Sequence, residues 1–265
     1  MISITDADLN TAMAAFLWPL FRILALIASA PILGNPSIPV RVKIGIAVLL
    51  TLIIAPTIQQ PLPQVDPYSG MGLMILIQQI IIGAAMGLVM RIVFVAVEMA
   101  GEIIGLQMGL AFAIFFDPQN SGQLALIGRF LGIIASLAFL AIDGHLIMIA
   151  LIAQSFNTLP VGPEGFNLPT FNALVLWGSE IFKAGMLLSL PVLTALLITN
   201  LALGILTRAA PQLNIFAVGF PITLSIGFLM LALSIIFYSP ILEKLVMEGF
   251  EMMAGLVDIT EINMP

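Results

Sequence analysis

The chain has 265 residues, of which 61% are hydrophobic and only 8% charged, with a mean hydropathy of +1.18; soluble domains carry about a quarter charged residues, so this composition specifies an integral membrane protein. The net charge of −6 is spread over few groups with no basic cluster, which excludes nucleic acid as a partner. With no cysteine and one histidine, disulfides, thiolate metal sites and thiol catalysis are excluded, and neither a metal nor a cofactor is expected.

The N-terminal MISITDADLN is acidic, so the first apolar stretch lacks the basic leader of a signal peptide and is expected to be retained. That stretch runs over about 11–33 with Arg22 inside it, and GNPSIP at 34–39 ends it before Arg41 and Lys43. A second apolar stretch covers about 44–59, and Pro61, Pro63 and Pro67 form the next connection. The positive-inside tendency of Arg41 and Lys43 against Asp6, Asp8 and Asp66 puts the N-terminus outside. Residues 71–112 contain no proline. As one helix they would span about 63 Å, roughly twice the ~30 Å hydrocarbon thickness, so this helix is expected to bend, break or project from the bilayer. Arg91, Glu98 and Glu102 fall within it, where a lipid-facing charge is expensive, so its outer half is expected to be covered by protein or to lie beyond the hydrocarbon.

Residues 124–156 are apolar but carry Arg129, Asp143 and His145; Asp143-Gly144-His145 reads as a turn at a membrane surface rather than a proton relay. The loop at 159–170 leads to an apolar stretch over 171–207, with Glu180 and Lys183 spaced as an intrahelical pair and Pro191 expected to kink the helix. From 209 to 242 no charge occurs, and Pro211, Pro221 and Pro240 interrupt the run. The acidic tail beyond it places Leu245, Val246, Phe250, Met253 and Leu256 near helical spacing. No internal repeat and no separable soluble domain is visible, so residues 1–265 are read as one all-α, polytopic membrane unit. Run counting predicts six or seven spans.

The most informative stretch is GEIIGLQMGLAFAIFFDPQNSG at 101–122. Gly101, Gly105 and Gly109 recur every fourth residue, which on a helix makes one flat stripe for close backbone packing. Phe112, Phe115 and Phe116 then lead into Asp117-Pro118, where proline disfavours the helical conformation at the residue before it, and a polar loop completes the stretch. Such glycines usually serve packing alone, such phenylalanines usually sit at an interface, and the methionines of the preceding helix usually fill a core; Met108, next to the loop, is the one candidate for a deformable seal.

GEIIGLQMGLAFAIFFDP, ALIGRFLG at 125–132 and LTRAAPQLNIFAVGFPI at 206–222 together resemble the FliR/SpaR family of flagellar and virulence type III secretion export-gate proteins. The last motif is the most specific, with Arg208, Pro211, Gln212 and Asn214 ahead of a Gly219-Phe220-Pro221 break. The resemblance covers nearly the whole length and inclines towards the flagellar branch. It implies long, kinked helices packed with P-type and Q-type export-gate proteins into a hetero-oligomeric cone in the bacterial inner membrane, at the flagellar basal body. It further implies contact with other membrane subunits of the export apparatus, passage of unfolded polypeptides, and a pore plug formed by Met108, Phe112, Phe115, Phe116, Asp117 and Pro118. Arg208, Pro211, Gln212 and Asn214 are expected to serve assembly.

The alternative class is an autonomous secondary transporter with Arg91, Glu98, Glu102 or Asp143 coupling ions at midplane. The proline and glycine breaks do not map one half of the chain onto the other, which counts against it. An enzyme is the weakest reading, because no phosphate loop, metal-ligand spacing or nucleophile-base set occurs.

Overall fold

The computed structural model of the chain describes residues 6–63, 65–110, 126–163, 166, 168–212 and 215–258. Among them regular structure is entirely helical: α1 (Asp6–Ser29), α2 (Val40–Ile54) with a short 3-10 turn after it, α3 (Gly70–Gln107), α4 (Leu126–Ala141), α5 (Gly144–Thr158), α6 (Leu168–Trp177), α7 (Glu180–Ala209) and α8 (Ile215–Leu256). The chain is an all-α polytopic membrane protein. Proline sets several boundaries. Pro39, extended at φ −56 and ψ 140, immediately precedes α2, and the 3-10 turn that ends this helix starts at Ala55-Pro56. Proline-free α3 runs unbroken for 38 residues, about 57 Å at ~1.5 Å per residue, and so exceeds the bilayer as expected.

Among the described residues four helical stretches are long and apolar enough to cross a membrane, Val40–Thr57, Gly70–Gln107, Leu168–Ala209 and Val218–Leu256, and the broken pair α4 and α5 makes up to five. This corrects the expected six or seven. The apolar part of α1, Met13–Ser29, is too short to qualify, and the runs on either side of Asp143 make at most one broken span between them. Asp143 turns that pair from a left-handed backbone at φ 55, a conformation aspartate tolerates better than most residues. A second correction concerns Gly219-Phe220-Pro221, which is no break: Pro221 and Pro240 both lie inside the 42-residue α8. A proline costs a helix interior one hydrogen bond, about 3 kcal/mol, which a long packed helix can offset. Pro211 does mark a stop, standing two residues beyond the end of α7.

The contacts divide the chain into two compact units, residues 1–92, 143–178 and 246–265 in the first and 93–142 and 179–245 in the second. In unit 1, α1 lies directly on α3: a Cβ on Gly83 would meet the Arg22 carbonyl, and one on Gly87 the Ser29 hydroxyl and Leu26 carbonyl. Trp177 donates from Nε1 to the Val89 carbonyl at 3.0 Å. Leu245 belongs to unit 2, while Val246, Phe250, Met253 and Leu256 belong to unit 1; all five lie on α8, as their helical spacing suggested, and all five are buried.

In unit 2 the second part of α3 is the central element. Gly101 crosses Gly128 of α4, Glu98 lies against Gly132 one turn along, and Gly185 of α7 approaches the Ala96 carbonyl. Phe94 meets Phe139 edge to face at 5.5 Å, and Tyr238 of α8 donates its hydroxyl proton to the Leu188 carbonyl of α7 at 3.1 Å. The Glu180–Lys183 pair forms at 2.8 Å on an exposed face, where it contributes little to stability.

Candidate functional site

The end of α3 is where the sequence expects function, and unit 2 holds it rigidly. The three glycines turn out to have three different environments. Gly101 is a true close crossing: an added Cβ would stand 2.5 Å from the Gly128 Cα and N and 2.7 Å from the Ile127 carbonyl carbon. Gly105 is buried but roomy, its nearest neighbours being Ile127 Cγ1 and Leu110 Cδ1 at 3.7 Å. Gly109 is not on the helix, which corrects the four-residue stripe. Its backbone is left-handed at φ 87, and its N–H closes a tight turn on the Leu106 carbonyl at 3.1 Å. It acts as the glycine that ends the helix, a position where a side chain is strained.

Met108 is fully buried within the chain. Its side chain fills the space that a Cβ on Gly227 of α8 would enter, with Cγ at 2.5 Å and Sδ and Cε at 2.8 Å from that point. Its carbonyl accepts a hydrogen bond from the Thr223 hydroxyl at 3.1 Å, which also bonds the Phe220 carbonyl at 3.0 Å. Met108 therefore packs helix against helix and does not present its side chain at an open surface. Thr223 and Gly227 were not singled out in the sequence. A threonine four residues before a glycine is too common in membrane helices to carry a signal without knowledge of what it faces.

Phe112, Phe115, Phe116, Asp117 and Pro118 lie outside the described residues, as does Asn214. Arg208 is exposed in the last turn of α7, where a cation complements the helix dipole, and Pro211 and Gln212 are exposed just beyond it. Within this chain Arg91, Glu98 and Glu102 are exposed on α3.

Unit 1 holds a second polar feature. Arg22 is completely buried and bonds Gln79 of α3, Ser155 of α5 and the Leu159 carbonyl. Its signal was present, since an arginine inside an apolar segment is rare and functional by default. No group of histidine, cysteine or carboxylate side chains among the described residues has the arrangement to hold a metal ion.

The family model described as bacterial export proteins, family 1, matches residues 13–249. The chain belongs to this family. It is 47% identical over 257 residues to the flagellar biosynthetic protein FliR of Pectobacterium carotovorum subsp. carotovorum, covering 97% of this chain and 98% of the relative. It is 44% identical to FliR of Escherichia coli strain K12 over the same shares. With FliR of Bacillus subtilis strain 168 the identity is 33% over 236 residues, 84% of this chain and 87% of the relative. This member of the export family is thus a multi-pass inner-membrane component of the flagellar export apparatus, and it works among other export subunits. An autonomous solute transporter is not favoured.

Proposed function

We propose that the chain, as one non-enzymatic membrane module, forms part of the wall of the protein-export pore, and that the segment after α3 helps plug it. The observation that carries this reading is the fastening of the end of α3. Met108 is locked against Gly227, Thr223 ties its carbonyl, and Gly109 turns the chain at φ 87. The segment beyond Gly109 is therefore launched from a fixed point. In the sequence that segment carries Phe112, Phe115, Phe116 and then Asp117-Pro118, an apolar, deformable mass on a polar hinge. An apolar constriction excludes ions by dewetting and yields to a passing polypeptide without breaking specific bonds. In this reading Met108 anchors the plug, Gly101 and Gly105 hold its helix, and the phenylalanines close the pore to ions while unfolded export substrates pass when an energised machine elsewhere opens it.

P-type and Q-type export-gate proteins are the proposed neighbours. Arg91 and Glu102 stand exposed on α3, whose most apolar 18-residue stretch has a mean hydropathy of 2.5, and charged groups in an apolar medium require a polar or charged partner. Arg208, Pro211, Gln212 and Asn214 would contribute to the same assembly. The test is deletion of residues 110–122, or joint replacement of Phe112, Phe115 and Phe116 by glycine. The expected result is an assembled complex through which cells leak ions and small molecules. Conductance equal to wild type in an assembled mutant complex would return these residues to ordinary packing.

A further inference from the structure

Arg22 receives only acceptors from unit 1. Its Nε donates to Gln79 Oε1 at 2.7 Å, Nη1 to the Ser155 carbonyl and hydroxyl oxygens at 3.0 and 3.1 Å, and Nη2 to the Leu159 carbonyl at 3.0 Å, with the Phe156 ring 4.4 Å from the guanidinium carbon. Among the described residues none of these partners is a carboxylate. The Ser155 and Leu159 carbonyls belong to the C-terminal end of α5, whose dipole supplies only about half a negative charge. A full buried cation therefore faces partial charges, a costly arrangement.

The groups left over around it are donors. A guanidinium has five N–H groups, and the bonds above leave one on Nη2. Trp18 Nε1 and Gln79 Nε2 are both buried and bond nothing among the described residues, on side chains that are 0% exposed. Neither can be reassigned as an acceptor: indole nitrogen only donates, and reversing the Gln79 amide would point an N–H at the Arg22 Nε–H. Arg22 and Gln79 are bonded to one another, and the helix register sets Trp18 within one turn of them. Gly83 meets Arg22 and Gly87 meets Leu26 and Ser29, so α1 and α3 run parallel. One turn before Arg22 on α1 stands Trp18, and one turn before Gly83 on α3 stands Gln79.

We propose that Trp18, Gln79 and Arg22 form a buried site for a monovalent anion of halide size. Such an ion accepts from all three donors, neutralises the guanidinium and needs no acceptor in return. A water molecule would bring two hydrogens of its own. The nearest unpartnered acceptor in the sequence, Gln78 Oε1, sits about 100° round the helix, on a side chain whose amide is engaged with the Pro163 carbonyl. The anion would bind only the folded arrangement of α1, α3 and α5, so halide concentration would set part of the stability of unit 1.

Two readouts test this on the full chain purified in its membrane complex, with sodium gluconate exchanged for sodium bromide at constant ionic strength. In a Trp177→Phe background Trp18 is the sole indole of this chain, bromide quenches indole emission on contact, and subtracting the emission of the same complex carrying Trp18→Phe removes the contribution of the partner subunits. The expected result is quenching that saturates with bromide although Trp18 is fully buried, together with a melting temperature that rises in bromide or chloride over gluconate. Gln79→Glu keeps an oxygen for Arg22 Nε, replaces the spare donor with an internal carboxylate, and should abolish both responses while the protein stays folded. Quenching that is absent or strictly linear, melting indifferent to halide, or an unchanged halide response in Gln79→Glu would each overturn the site, the second pointing to water alone. If Trp177→Phe fails to fold, the melting series on the otherwise wild-type chain and on Gln79→Glu decides by itself.

Discussion

Alanine at Gly101 and at Gly105 should have opposite effects, although the two glycines share one spacing and one helix. At Gly101 the new methyl carbon would stand 2.5 Å from the Gly128 Cα and N. Ordinary carbon contacts fall at about 3.5–4.0 Å, so α4 must retreat from α3 by about 1 Å, and the obstacle is backbone that cannot swing aside. A retreat of that size forfeits a quarter to a half of the attraction along the crossing, and overpacking of this kind costs about 1–3 kcal/mol. At Gly105 the same carbon finds its nearest neighbours at 3.7 Å, which is ordinary contact. There the gain of up to about 1 kcal/mol in helix propensity is uncontested. At roughly 2–4 °C per kcal/mol for a chain of this size, Gly101→Ala should melt about 2–12 °C below wild type, with Gly105→Ala at or slightly above it. Thermal unfolding in detergent, followed by size-exclusion of heated samples, measures both, and motility reports the consequence in cells. Equal shifts for the two variants would refute the close crossing and with it the rigid placement of the end of α3.

Gly109→Ala, forced to φ 87, should cost about 1–2 kcal/mol without disturbing the Gly101 crossing, read as a Tm loss additive with Gly101→Ala. Thr223→Val removes the hydroxyl that ties the Met108 carbonyl, and should cost about 1 kcal/mol and speed amide exchange at residues 106–110. Arg22→Met strands the Ser155 and Leu159 carbonyls and Gln79 Oε1 in the interior of unit 1, so the chain should accumulate poorly in membranes; normal accumulation and melting would show the cluster to be dispensable. Arg208→Ala should lower the yield of complex on co-purification and leave the conductance of the remaining complex unchanged, and a leaking or blocked complex formed in full yield would move Arg208 from assembly to the pore.

Membrane class, the excess length of α3 and the burial of the Leu245 to Leu256 face could be read from the sequence, because each is a property of one segment: its hydropathy, its freedom from proline, its spacing. The stop before Pro211 and the Glu180–Lys183 pair are local in the same sense. The three glycines at 101, 105 and 109 were indistinguishable in the sequence, since their difference lies in what stands opposite. Gly101 meets the backbone of Gly128, Gly105 meets only side-chain carbons, and Gly109 has left the helix altogether. The continuity of α8 through Pro221 and Pro240 was equally invisible, because proline's local cost is set against packing contributed by distant residues. Met108 shows the same division. Its position beside the loop is a fact of sequence, but its burial depends on Gly227 and Thr223, more than a hundred residues away. Hydropathy and helix length are thus determined residue by residue along the chain, whereas which glycine is a crossing, which methionine is an anchor and which arginine is enclosed exist only once separate helices are brought within van der Waals distance.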